Sequence, residues 1–130
     1  MSIRGIRGAV VAVEDRPGEI LSSTRELIKE IIRANPTFEA ENVASVIFTT
    51  TPDLTSAYPA QAARQIGWTD VPLLCCLEIP VPDGLKRCIR VLIHWNTDFP
   101  QDQVNSVYLG QAASLRPHQT QKNLKRRKST

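Results

Sequence analysis

The chain has 130 residues, 42% apolar and 22% charged, the proportions of a soluble globular protein with one core. No apolar run is long enough to cross a bilayer, and "MSIRGIRGAV" lacks the apolar segment of a signal peptide, so a cytoplasmic protein is expected. The net charge of +3 belongs to the end of the chain. There Lys122, Lys125, Arg126, Arg127 and Lys128 take five of the sixteen basic residues, and the other eleven stand against thirteen acidic ones, leaving −2.

One domain is expected over residues 1–118, followed by a basic, solvated tail over 119–130. "IRGIRGAVVAVED" is rich in β-branched and small residues and predicts a strand from Ile3 to Val13. Alternation puts Ile3, Gly5, Arg7, Ala9, Val11 and Val13 on one face, and Arg4, Ile6, Gly8 and Val10 on the other. Ile20, Leu21, Thr24, Leu27, Ile28, Ile31 and Ile32 then recur at helical spacing, with Arg25, Glu26, Lys29, Glu30 and Arg33 outside. This helix starts at Asp15 or Arg16, accepts Pro17 in its first turn and stops at the "NP" of 35–36.

"VASVIFTT" (43–50) predicts a second strand, "TPDLTSAYP" a loop, and "AQAARQI" a short helix closed by Gly67. "VPLLCCLEIPVP" predicts a third strand bounded by prolines, "RCIRVLIHWNT" a fourth and "VNSVYL" a short fifth. "GQAASLRP" predicts a turn or short helix. The order gives an α+β domain: a mixed β-sheet with one long and one short helix on one face. One long helix covers only part of one sheet face. The other face then mixes Arg, Glu and Cys with apolar residues, which suits neither water nor a core. Such a face fits a symmetric oligomer with lined cavities between its subunits.

Four charges stand out of place: Arg7 in the first strand, Glu78 in "CCLEIP", Arg90 in the fourth strand and Arg116 in "SLRP". Arg90 and Glu78 can form a structural ion pair across neighbouring strands. Three arginines against one carboxylate also suit an anionic ligand with more than one carboxylate or phosphate, since a guanidinium offers a bidentate fork. Other chemistry is sparse. Cys75, Cys76 and Cys88 have neither disulfide nor zinc spacing and read as packed thiols. His94 reads as a hydrogen-bonded strand residue, and His118 lies at the start of the tail. No metal or cofactor is expected.

Taken together, "IRGIRGA", "TPDL", "YPAQAAR", "VPLLCCLEIPVPDGLKRCIRV" and "TDFPQDQVNSVYLGQAASLRP" resemble the small monofunctional chorismate mutases of the AroH type, in order from Ile3 to Pro117. The resemblance implies a homotrimer in which the sheets form a pseudo α/β-barrel of ferredoxin-like units, with active sites at subunit interfaces. It also implies the intramolecular Claisen rearrangement of chorismate to prephenate, which needs no nucleophile and no proton transfer. Carried onto this chain, Arg90 would donate to the ether oxygen and a carboxylate, and Glu78 would accept from the ring hydroxyl. Arg7 and Tyr108 would hold the side-chain carboxylate, and Leu73, Leu74 and Cys75 would form a wall. Tyr58, Ala60, Arg64, Leu115 and Arg116 would form the entrance or a C-terminal cover. Strict alternation, however, puts Cys76 and not Cys75 on the face of Glu78. A trimeric imine or enamine deaminase and an anion- or nucleic-acid-binding module using the tail are the alternatives. No membrane partner and no nucleic acid are expected.

Overall fold

The computed structural model describes residues 2–116. His118 and the basic tail therefore lie outside the described residues. Five strands, β1 (Ile3–Val11), β2 (Val43–Thr50), β3 (Leu73–Leu77), β4 (Cys88–Asn96) and β5 (Val107–Tyr108), form one sheet in the order β3-β2-β4-β1-β5. The central strand β4 runs antiparallel to both β1 and β2. The edges β5 and β3 run parallel to β1 and β2 respectively. A mixed α+β fold is thus what the chain adopts.

Helices α1 (Pro17–Ala34) and α2 (Ala60–Gln65) lie on the same side of this sheet. α1 starts after an extended Arg16, with Pro17 where a lost N–H costs nothing, Glu19 in its first turn and Arg33 in its last. Its buried stripe is Ile20, Thr24, Leu27, Ile28 and Ile31. Ile32, counted in the stripe by its spacing, faces outward instead. The stripe packs on Ile6, Val10, Val46, Phe48, Ile89, Val91, Ile93 and Trp95, with Ala60 and Ala63 of α2 completing the core. Gly8 in β1 allows the closest approach: a Cβ there would stand 2.9 Å from Ile31 Cδ1.

The strands other than β2 are shorter than their patterns suggest, β5 most of all, with only Val107–Tyr108 of "VNSVYL". β1 stops at Val11: Ala12 N–H still bonds Arg87 O, but the reciprocal Arg87 N–H turns to the Asp53 carboxylate and the ladder ends. β3 stops at Leu77, which pairs with Thr50, the last residue of its partner β2; Glu78 N–H still bonds Thr50 O at 2.9 Å. Beyond it Pro80 and Pro82 have no N–H to continue a ladder. The second face of the sheet is open except at one end. There a 3-10 turn over Gly110–Leu115 folds back and buries Ala9, Cys88, Tyr108 and Ala112 in a small second cluster.

Candidate active site

The open face carries the misplaced charges. In β4, Ile89, Val91, Ile93 and Trp95 are buried toward the helices, so Cys88, Arg90, Leu92 and His94 point the other way. Register decides what each one meets. Arg90 lies opposite Thr49 of β2 on one side and Ala9 of β1 on the other, and Ala9 in turn pairs with Tyr108 of β5. The small side chain of Ala9 leaves space between the guanidinium and the phenol. One rung along, Arg7 lies opposite Leu92, which faces Ile47.

These side chains enclose a hollow of about 240 Å³, lined by Arg7, Gly8, Ile47, Thr49, Glu78, Arg90, Val91, Leu92, Tyr108 and Leu115. Arg90 Nε lies 3.5 Å from Glu78 Oε2, with the two side chains 47% and 25% exposed, so the pair is loose and partly solvated. Its fork retains donors for a ligand. Arg116 does not line the hollow. Its guanidinium sits over the Tyr108 ring, 5.3 Å from the centroid, and donates to Tyr108 O, bracing that residue from behind. A wider basin of about 770 Å³ opens on the other side of Glu78 and Arg90, bordered by Asp53, Cys88 and residues 79–86.

The remaining residues singled out from the sequence sit elsewhere. Cys75 and Leu73 are half-buried against the main core on the helix side, and Ala60 is itself a core residue. Tyr58 is 72% exposed and shares a depression of about 510 Å³ along the β3 edge with Gln61, Cys75, Cys76 and Leu77. Arg64 is exposed and close enough to Cys75 to act on its thiol electrostatically. Leu74 points out on the open side, 58% exposed, in register with Ile47. Alternation therefore holds through β3: Cys76 pairs with Thr49 on the open face, and Cys75 pairs with Phe48 on the core face. Burial raises both the Cys75 and Cys88 thiols above the usual range, so neither is disposed to act as a thiolate at neutral pH.

Thr49 and Ile47 line the hollow but were not singled out beforehand. Alternation in "VASVIFTT" places them together opposite Val46 and Phe48, and that signal could have found them. Thr49 Oγ1 is buried with no hydrogen-bond partner among the described residues, directly beside Arg90. Among the described residues no group of His, Cys, Asp and Glu is placed to hold a metal ion, and no helix is long and apolar enough to cross a membrane.

The chain is similar to known proteins over most of its length. The family model for chorismate mutase type I matches residues 3–119. Chorismate mutase AroH of Thermus thermophilus is 56% identical over 115 residues, 88% of this chain and 94% of that protein. The AroH protein of Bacillus subtilis is 46% identical over 118 residues, 90% and 92% of the two chains. The solved chorismate mutase from Clostridium thermocellum superposes with a TM-score of 0.82 at 43% identity, covering 85% of this chain and 97% of that one.

Proposed function

The chain belongs to the type I chorismate mutase family, and we propose that the hollow around Arg90 is where it converts chorismate to prephenate for aromatic amino-acid synthesis. The observation that carries this assignment is the convergence of Arg7, Arg90 and Tyr108 with one carboxylate, Glu78, on a hollow in the open sheet face. In the reaction the ether C–O bond breaks as a new C–C bond forms within one molecule, with no proton or group handed to the protein. What the protein supplies is shape and charge.

Arg90 donates to the ether oxygen as it becomes electron-rich and to a neighbouring carboxylate. Glu78 accepts from the ring hydroxyl and faces the ring as positive charge grows there. Arg7 and Tyr108 take the second carboxylate, and Leu115 covers the mouth. The substrate carboxylates supply the negative charge that the loose Arg90–Glu78 pair leaves unsatisfied.

We further propose a homotrimer with sites shared between neighbours and the sheets closing into a barrel. In a single subunit Tyr58, Ala60, Arg64, Leu73 and Cys75 lie along the β3 edge on its helix side and Leu74 on its open side, none of them lining the hollow. A neighbouring copy that lays this edge over the open face brings the two groups around one ligand. The edge is dressed for such contact: Leu74 and Leu77 of β3 and Ile79 and Val81 just past it are 58–82% exposed, more apolar surface than an isolated edge keeps.

Loss of chorismate absorbance with purified protein tests the activity. Subunit mixing tests the shared site. Arg90→Ala, and Tyr58→Ala combined with Arg64→Ala, are each expected to be nearly inactive alone. Co-refolded in equal amounts, random trimers regain about a quarter of wild-type turnover, since one site in four draws both intact halves. A mixture no more active than its components would refute the shared site, and an active Arg90→Ala protein would refute the hollow.

A further inference from the structure

The "TPDL" turn that follows β2 supplies no side chain to the hollow, yet Asp53 and Thr51 hold the start of the strand that carries Arg90. We propose that Asp53 is a positioning residue for the rearrangement: its carboxylate fixes the backbone at Arg87 and Cys88 and so sets the alignment of Arg90 against Glu78. This rests on the assignment of the hollow made above.

Arg87 has φ +50°, a left-handed conformation that side chains other than glycine rarely adopt. Its N–H donates to both oxygens of Asp53, at 2.9 and 3.1 Å. The same carboxylate accepts the Thr51 hydroxyl, and Thr51 Oγ1 accepts the Cys88 N–H at 3.0 Å. Thr51 N–H donates to Cys88 O at 3.0 Å, which closes the turn onto the strand. On the far side Arg87 O accepts Ala12 N–H at 2.8 Å, and Arg87 Nε donates to Ala12 O at 3.0 Å. The two residues that open β4 are therefore pinned between the end of β1 and the 51–53 turn, and Arg90 follows two positions later on the same face as Cys88.

The other half of the pair hangs on the same segment. Glu78 lies past the end of β3, and its N–H bonds Thr50 O at 2.9 Å. Residues 50–53 thus grip the backbone of Glu78 with one bond and the start of β4 with the others. The guanidinium and carboxylate, 3.5 Å apart and partly solvated, do not hold each other tightly enough to set their own spacing. A glycine at 87 would take its φ unaided, whereas an arginine needs the anion at its N–H.

The test compares Asp53→Ala, Thr51→Val, Arg87→Gly and the double variant Asp53→Ala/Arg87→Gly with wild type. Phe38→Leu, a core change far from the hollow, is the stability control. Below the melting temperature of each protein, Asp53→Ala is expected to lose about 100-fold in kcat, the scale of an ångström-level misplacement, with KM little changed. Thr51→Val shows a smaller loss of the same kind. The Arg87→Gly background recovers most of the Asp53→Ala loss, because the strand entry no longer depends on the carboxylate.

The proposal is overturned if Asp53→Ala melts early like Phe38→Leu but keeps its kcat, or if Arg87→Gly leaves its loss undiminished. Should Asp53→Ala not fold, a native kcat in Thr51→Val overturns it equally. A wrong assignment of the hollow would show separately, as undiminished turnover in Arg90→Ala, whatever the Asp53 variants do.

Discussion

Arg90→Ala is expected to separate catalysis from folding. One oriented donor to a developing oxyanion is worth roughly 3–4 kcal/mol of barrier, a factor of about 150–900 in kcat. Arg90 is assigned two acceptors, the ether oxygen and a carboxylate, so the expected loss lies at or beyond the upper end of that range. The same truncation should hardly disturb the fold. The side chain is 47% exposed and its ion pair with Glu78 spans 3.5 Å, a solvent-screened contact worth about 0–1 kcal/mol. The assay is initial-rate loss of chorismate beside a thermal melt of the same preparation, with Arg90→Lys as the second variant. The lysine keeps the charge but not the planar fork, and is expected to fall by a similar factor. Near-normal kcat in Arg90→Ala would refute the electrostatic reasoning. A melting temperature too low for the assay would refute the claim that this arginine serves the ligand and not the fold.

Two further outcomes follow from packing and titration. Gly8→Ala puts a methyl 2.9 Å from Ile31 Cδ1 and 3.1 Å from both Leu27 Cδ1 and Val91 Cγ1, so a destabilisation of about 1–3 kcal/mol is expected; an unchanged urea midpoint would show that the α1–β1 contact has slack. Asp15 accepts hydrogen bonds from the Ser56 and Thr55 hydroxyls and from both of their N–H groups, and the Ser56 hydroxyl foremost lowers its pKa below the ordinary 3.8. A carboxyl whose folded value is the lower one stabilises the fold above its unfolded value and ceases to as pH falls through the folded one. Asp15→Asn should therefore melt earlier than wild type at neutral pH, with the difference closing below about pH 3.8; a gap that persists in acid would count against the clamp.

Much of the fold was legible because its signals are local. Strand β2 lies where "VASVIFTT" puts it, and α1 begins at Pro17 and ends before Asn35, since proline and the apolar stripe act within a few residues. The misplaced arginines were legible for the same reason: Arg7 and Arg90 break an alternation visible in nine residues. Ends of strands were less so. β3 stops at Leu77 because β2 runs out beside it, and nothing within "LLCCLEIP" records the length of its neighbour. Thr49 drew no notice because a threonine in a β-branched run looks ordinary until Arg90 is placed next to it.

What the sequence determined alone is which side chains share a face. That follows from a two-residue period in strands and 3.6 residues per turn in helices. Which faces meet, and in what register, was decided only in three dimensions. Arg90 lies between Thr49 and Ala9, far away along the chain, because β4 inserts between β1 and β2 and β5 joins the far edge. Register is selected by burying one complete set of apolar residues against the helices, and a slip of one position would turn every one of them outward. The arginines, Glu78 and Tyr108 come together on the opposite face as a result of that burial.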